Sequence, residues 1–262
     1  MSTAVPLTHD DLRHQFTALG VPSGAVVMVH ASLSAFGPVE GGATTVVGAL
    51  RTALGEDGTL VVPTFTPHIS DPRPEVPLAD AGAAKARAAV PLFTDTTPTG
   101  MGALPNALLA RPGRLRGRHP QASVAALGPL AADITRDQPY NEALGSDSPF
   151  ARMYRLGAYI LLLGVGHNRN SFLHHAETRT AHARRKTRRF PVLLHGERVW
   201  VETADAGDDN GRFFPRVGED AEHAGLIHRG HIGAADCQLM AARPFTDFAT
   251  DRLGGLLRGA SV

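Results

Sequence analysis

The chain has 262 residues, 43% of them apolar, and a formal net charge of +1 at pH 7. A chain of this length can bury roughly three quarters of the surface that its unfolded form exposes, so its stability needs no cross-link. Its one cysteine, Cys237, excludes internal disulfides and four-cysteine zinc sites, which fits a reducing compartment. The near-neutral charge argues against a general polyanion binder, so we expect no nucleic-acid partner.

The chain shows no membrane or secretion signal. Residues 1–10 lack the basic and apolar regions of a signal peptide. The longest apolar run, residues 158–163, is far too short to cross a bilayer and is typical of a buried strand. We therefore expect a cytoplasmic protein without a membrane partner.

Apolar runs and turn residues predict alternating helices and strands. The first half reads as a helix over 8–19 with Thr8 as N-cap, a strand over 26–30, a helix over 41–54 and a strand over 59–63. This order of strand, helix and strand indicates a parallel βαβ unit. The second half reads as a helix over 102–111, strands over 122–128 and 158–164, a helix over 171–183, a hairpin over 190–202, a strand near 232–240 and a helix from Thr246.

Two segments stand apart from this alternation. Residues 65–97 are rich in proline and alanine and are predicted as an insertion loop, and residues 190–222 are predicted as the hairpin and a following loop. We find no repeat, low-complexity tract or linker. The sequence therefore predicts one α/β domain over residues 1–262, with a central mixed, partly parallel sheet flanked by helices.

Residues 164–177 place reactive side chains after the most apolar strand. A glycine-rich turn leads into a helix that carries His174 and Glu177, and their three-residue spacing puts them on one helix face. A carboxylate there can fix the tautomer of the imidazole and raise its basicity, as a general base requires. The alternative is that His174 and Glu177 form a structural or solvent-exposed pair, since such pairs have the same spacing. We expect no metal, because His174 and His175 are adjacent and face different sides, and no His-Glu-x-x-His motif is present.

Two other segments have either a purely structural or a functional interpretation. Residues 31–37 are small residues between a strand and a helix, where N–H groups could hold phosphate oxygens or form an ordinary turn. They match neither a P-loop nor a dinucleotide fingerprint. Arg118 could contact a phosphate, and Pro120 favours extended geometry at His119; the alternative is an ordinary loop before a strand.

Taken in order, these segments resemble the aminoglycoside 3-N-acetyltransferase family over nearly the whole chain. The likeness rests on residues 30–33, 41–47, 58–64, 97–102, 119–123, 148–152, 164–177 and 232–237. It implies acetyl-CoA as co-substrate and transfer of the acetyl group to the 3-amino group of a 2-deoxystreptamine aminoglycoside. The alternative is a related N-acyltransferase that acts on another amine in small-molecule biosynthesis.

The same resemblance implies individual roles. His174 matches the family's active-site histidine in its His-x-Ala-Glu motif, with Glu177 as its partner, and Thr64 or nearby N–H groups would hold the oxyanion. Cys237 is interpreted as a packing residue. The residues implied on the CoA side are His30, Ala31, Ser32, Leu33, Phe36, Gly37, Thr97, Thr99, Arg118, His119 and Ser123.

The acceptor side is the least constrained part of the sequence. A polycationic aminoglycoside favours a carboxylate-lined cleft, but acidic and basic residues nearly cancel within residues 65–97. The acidic stretch 202–222 could supply a cation-binding wall or be a solvated loop. Six basic residues in 179–189 form either a solvated segment or a docking strip for a phosphorylated ligand. We predict substrate contacts from Glu142, Asp147 and Glu219, with a homodimer as an open alternative.

Overall fold

The computed structural model describes residues 5–207 and 211–259. Its centre is a seven-stranded mixed sheet in the order β3-β4-β2-β1-β5-β9-β8, beside a separate β6-β7 hairpin. The strands are β1 Val26–Ala31, β2 Thr59–Pro63, β3 Leu115–Arg116, β4 Val124–Leu127, β5 Tyr159–Leu163, β6 Arg185–Leu194, β7 Glu197–Ala206, β8 His228–Ile232 and β9 Ala235–Ala241. The helices are α1 His9–Ala18, α2 Ala43–Leu54, α3 Ala84–Ala89, α4 Ala103–Leu109, α5 Ala131–Thr135, α6 Pro149–Arg155, α7 Phe172–Thr178, α8 Phe214–His223 and α9 Ala242–Arg258.

The predicted βαβ unit is confirmed. β1 lies parallel to β2 on one side and to β5 on the other, with Val27 opposite both Leu60 and Tyr159. β4 and β9 add antiparallel partners outside these three strands. The fold is therefore the predicted single α/β domain with a mixed, partly parallel sheet, and its parallel centre is buried on both faces, as such centres usually are.

Two apolar clusters cover the two faces of this sheet. Alternate β1 residues point to opposite sides, so Met28 belongs to one cluster while Val27 and Val29 belong to the other. The first cluster contains side chains of α5 to α9, and the second contains side chains of α1, α2 and α4. Together they sandwich the sheet and fix the positions at which its strands end.

The insertion is more ordered than its sequence suggests. Arg87 of α3 donates to both carboxylate oxygens of Asp71, at 2.9 and 2.8 Å, and to four backbone carbonyls of residues 73–78. Arg189 of β6 also donates to Asp71, at 3.4 Å. These contacts, together with a small apolar cluster around Ile69 and Phe190, fasten the insertion to the hairpin.

Four predictions about element boundaries are corrected. Residues 203–222, predicted as a loop, contain the end of β7 and nearly all of α8 Phe214–His223. The hairpin spans Arg185–Leu194 and Glu197–Ala206 rather than 190–202, so it contains four of the six basic residues in 179–189, which were predicted as a solvated segment or a docking strip. Helix α7 ends at Thr178 rather than near residue 183, because Arg184 folds back onto Glu177. Helix α9 begins at Ala242 rather than Thr246. Within the described ranges, none of the helices is long and apolar enough to span a membrane.

Candidate active site

Two neighbouring cavities lie where β1, β2 and β5 end. The first, which we call the His174 cavity, has a volume of about 290 Å³ and is lined by Phe65, Met101, His174 and Asp205 among others. The second, the loop cavity, has a volume of about 610 Å³ and is lined by segments that follow β1 and β5 and precede α4. Met101, Asn168 and Arg169 line both, so the cavities adjoin at these three residues. Carboxyl ends of parallel strands are the usual place for a site in such sheets.

Helix α7 presents His174 to its cavity. The backbone N–H of His174 donates to the Ser171 carbonyl at 3.2 Å, in the first turn of the helix. The imidazole packs edge-on against Phe214, with ring centroids 4.8 Å apart. Leu173 and His175 beside it are buried in the core. The helix therefore anchors its apolar face in the core and leaves His174 half-buried at the cavity wall.

Glu177 contacts Arg184, and the predicted contact with the His174 ring is not made. The carboxylate is 1% exposed and accepts from the Arg184 backbone N–H at 2.9 Å, from Nε at 2.8 Å and from Nη2 at 2.8 Å. The side chain is directed toward the segment between α7 and β6. Its evident effect is to hold the start of the hairpin against the helix that carries His174.

Among the described residues, four histidines are buried, namely His30, His119, His167 and His175, and for three of them burial lowers the pKa to about 4 or below. Burial lowers the pKa of His175 to about 4, and its Nδ1 donates to the Leu144 carbonyl at 2.7 Å. Burial also lowers the pKa of His119 to about 4, and its Nδ1 accepts from the N–H groups of Gln121 and Ala122. Burial, with a smaller contribution from another histidine, lowers the pKa of His30 to about 3. None of the three is suited to take up a proton near neutral pH.

Part of the predicted CoA side lines the loop cavity. His30, Ala31, Ser32 and Leu33 lie along its wall, opposite the turn at residues 100–103. Gly164 closes the third side with φ +63°, and a Cβ there would lie 2.2 Å from Cβ of Ala35. This close approach requires glycine. The small residues after β1 and β5 thus leave backbone around an open space, as phosphate or amide binding requires.

The remaining predicted CoA-side residues do not line the loop cavity. Phe36 is buried in the apolar core, Gly37 lies beyond it, the Thr97 hydroxyl accepts from Thr94 within its own turn, and the Thr99 hydroxyl donates to the Phe65 carbonyl. Arg118 is exposed and lines a different cavity, near Thr94 and Leu193. His119 and Ser123 are buried at 1% and 0% exposure and hold loops together. Their hydrogen-bonding groups are used inside the protein.

Thr64, the predicted oxyanion donor, is also fully buried. Its hydroxyl donates to the Ser123 carbonyl at 3.0 Å and its N–H donates to the same carbonyl at 2.9 Å. Its neighbours Pro63 and Phe65, rather than Thr64 itself, face the loop cavity and the His174 cavity. Both donors of Thr64 are thus used within the wall between the cavities.

The predicted acidic residues are not at the His174 cavity. Glu142 forms an ion pair with Arg185, and Asp147 and Glu219 are exposed elsewhere on the surface. Among the described residues, the carboxylate that lines the cavity is Asp205, near the end of β7, which accepts from the N–H groups of Ala143 and Ala206. Burial raises the pKa of its carboxyl group. Asp205 belongs to the acidic stretch 202–222, which the sequence analysis gave as a possible cation-binding wall. The register of the hairpin determines that Asp205 is the member of this stretch that faces the cavity among the described residues.

The cavity also contains positive charge. Arg169 and Arg188 line it, and Arg188 donates to the Ala206 carbonyl at 3.0 Å. Within residues 5–207 and 211–259, no group of three or more His, Cys, Asp and Glu side chains is arranged to hold a metal ion. The ionisable side chains among the described lining residues are an imidazole, a carboxylate and two guanidinium groups.

A histidine in the wall of one of two adjoining cavities suits an enzyme that transfers a group between two substrates. The sequence profile of the aminoglycoside 3-N-acetyltransferases matches residues 28–254. The chain belongs to this family.

Relatives of known activity or with a bound ligand agree with that membership. Aminoglycoside N(3)-acetyltransferase VII of Streptomyces paromomycinus is 39% identical over 93% of this chain and 90% of that protein. The structure of AAC-IIIb in a binary complex with CoASH has a TM-score of 0.86 and 27% identity, covering 96% of this chain and 98% of that one. The structure of AAC-VIa bound to sisomicin has a TM-score of 0.85 and 31% identity, covering 96% and 99%.

Proposed function

We propose that this protein transfers the acetyl group of acetyl-CoA to the 3-amino group of a 2-deoxystreptamine aminoglycoside. The observation that carries the proposal is the meeting of the loop cavity and the His174 cavity at Met101, Asn168 and Arg169. A donor in the loop cavity would place its thioester at that junction, within reach of an amine in the other cavity. A family relative that binds CoASH and another that binds sisomicin support this division. Because acetyl-CoA is the donor, we place the reaction in the cytoplasm.

His174 is the general base in this scheme. The imidazole takes a proton from the amine as its nitrogen attacks the thioester carbonyl carbon, and the C–N bond forms. The C–S bond then breaks, CoA leaves as a thiolate and takes up a proton, and the acetylated amine remains. No covalent acyl-enzyme is needed. Glu177 acts indirectly, because its bonds to Arg184 hold the helix that carries His174.

Asp205 is the candidate partner for an ammonium group of the acceptor. It is a carboxylate in the same cavity as His174, and it is 5% exposed, so its charge is weakly screened. A charged hydrogen bond there would orient the acceptor so that another amino group faces His174.

A related N-acyltransferase acting on another amine is the second candidate. The observation that favours it is the presence of Arg169 and Arg188 in the wall of the acceptor cavity, since guanidinium groups repel a polycation. An acceptor with fewer positive charges, or with an anionic group, would suit these residues.

A thiol-release assay with acetyl-CoA and a panel of amines separates the two candidates. Release of CoA with deoxystreptamine compounds, and a product acetylated at the 3-amino group by NMR, is the expected result. No release with any deoxystreptamine compound, together with release with another amine, would favour the second candidate.

The role of His174 is tested by His174→Ala. We expect kcat to fall by roughly 10²- to 10⁴-fold, the usual contribution of a positioned base. The matched control is His231→Ala, which removes an exposed histidine on β8. Turnover of His174→Ala within tenfold of the wild type would exclude the proposed role.

A further inference from the structure

Arg116 lies behind the wall that separates the two cavities. We define the shared wall as residues 63–65 and 99–101. Pro63 lines the loop cavity, Phe65 lines the His174 cavity and Met101 lines both. A displacement of this wall would move the donor and acceptor cavities relative to each other.

The Arg116 guanidinium binds the inner side of this wall. Its Nε lies 3.2 Å from the hydroxyl oxygens of Thr64 and Ser123, and its Nη2 donates to the Thr64 carbonyl at 2.9 Å. Its Nη1 donates to the carbonyls of Asp95 and Thr97, at 3.2 and 2.5 Å. One side chain thus connects the end of β2, the loop before β4 and the turn that leads to residue 99.

A second set of bonds ties the two halves of the wall together. The Thr99 hydroxyl donates to the Phe65 carbonyl at 2.6 Å and accepts from the Met101 N–H at 3.2 Å. Arg116 fixes the segments on either side of this link. The relative position of Phe65 and Met101 therefore depends on where the guanidinium is held.

Arg116 is an expensive residue to bury. It is 8% exposed, and within the described ranges it forms no ion pair with a carboxylate. Carbonyl and hydroxyl oxygens surround it, and its guanidinium carbon lies 4.6 Å from the centre of the Phe93 ring. Burial lowers its pKa to about 10. A buried cation that forms no ion pair is costly to stability, and the charge of Asp95, which pairs with Arg114, offsets only part of that cost. Stability alone therefore does not account for an arginine at this position.

We propose that Arg116 is a positioning residue that holds the shared wall, and with it the donor thioester and the acceptor amine, in reactive alignment. This inference rests on the proposed function. Arg116 touches neither cavity's expected ligand, so its loss should reduce kcat much more than it raises KM for either substrate. Misplacement of a reacting group by about 1 Å can cost about 100-fold in rate.

The test is Arg116→Lys. The variant keeps the positive charge, but one ammonium group cannot reach five acceptors that are arranged for a planar fork. We expect kcat to fall by roughly 10- to 100-fold, KM for both substrates to stay within about threefold, and the pH profile of kcat to keep its shape, because His174 is intact. The matched control is Arg114→Lys, two residues earlier, where the side chain binds Asp95 and the Leu109 carbonyl and should leave kcat unchanged.

A milder variant, Ser123→Ala, removes only one hydroxyl that contacts Arg116 and Thr64, so it tests the same contacts if Arg116→Lys does not fold. We expect kcat to fall by roughly three- to tenfold, equivalent to one net hydrogen bond. Wild-type kcat in either variant, or an equal loss in Arg114→Lys, would overturn the proposal.

Amide hydrogen exchange gives a readout that does not depend on turnover. The Met101 amide should exchange faster in the folded Arg116→Lys or Ser123→Ala protein than in the wild type or Arg114→Lys. Unchanged exchange in both variants would overturn the positioning role. A wild-type protein that releases no CoA with any amine would instead refute the proposed function, and exchange would still decide whether Arg116 holds the wall.

Discussion

Replacing Glu177 by glutamine should destabilise the protein markedly. The carboxylate is 1% exposed and accepts three hydrogen bonds from Arg184, whose side chain is 24% exposed. Removing one partner of a buried ion pair costs about 3–5 kcal/mol. Glutamine keeps one oxygen, and water can reach part of Arg184, so we expect a loss of about 2–3 kcal/mol in the free energy of unfolding. For a chain of this length that loss corresponds to a decrease of roughly 5–10 °C in Tm.

The measurement is urea denaturation of Glu177→Gln, compared with a variant that breaks an exposed ion pair. This matched control is Asp247→Asn, which breaks the pair between Asp247, 49% exposed, and Arg179, 34% exposed. We expect this control to lose less than about 1 kcal/mol. The dependence of the free energy on urea concentration should be the same in both variants if the unfolded state is unchanged. If Glu177→Gln loses no more than Asp247→Asn, the reasoning from burial is wrong.

Two further predictions concern pH and the acceptor. The pKa of His119 is lowered to about 4 by burial, so the unfolded chain, with a pKa near 6.5, takes up the proton first. Its contribution to stability is therefore complete above about pH 6.5 and falls toward pH 4, by about 2 kcal/mol at pH 5. Urea denaturation from pH 7 to 4.5 should show a shallower decline in His119→Asn, and His231→Asn should decline like the wild type. Asp205→Asn should raise KM for the amine by roughly 10- to 100-fold with little change in KM for acetyl-CoA. Asp147→Asn, outside the cavity, should change neither KM. If KM for the amine is the same in Asp205→Asn and the wild type, Asp205 does not contact the acceptor.

The sequence predicts the parallel centre of the fold well because burial there is nearly complete. Strands β1, β2 and β5 are short, mostly apolar runs, and their observed bounds differ by at most one residue from those predicted. Thr8 is likewise confirmed as the N-cap of α1, where its hydroxyl accepts from Asp11 and the Asp11 carboxylate accepts from Thr8. In these elements the local pattern and the tertiary environment require the same residues.

The edges and the insertion could not be predicted in this way. Strand β8 contains His228, Arg229 and His231, and its polar sequence shows no alternation of apolar residues. It forms a strand because it pairs with β9, which its own sequence does not indicate. The insertion is held by Asp71 and Arg189, which are separated by 118 residues. A bond over that distance depends on the final position of the hairpin, and the local sequence of neither segment contains it.

In the candidate site, too, the residues placed by local sequence were predicted and those placed by tertiary contacts were not. His174 lies in a compact motif on one short helix, so its place at the cavity follows from local sequence. Arg116 and Arg118 have the same charge and lie two residues apart near the same edge strand, but Arg116 pairs with Ala125 and is buried, while Arg118 lies beyond the strand and is exposed. The sequence analysis predicted Arg118 as a ligand contact from its charge and its neighbouring motif. The pairing of β3 with β4, which ends at Arg116, instead buries Arg116. A residue that acts by supporting a wall is recognised only when the segments it joins are seen together, which is why the sequence predicted the base but not the residue that we propose aligns the substrates for it.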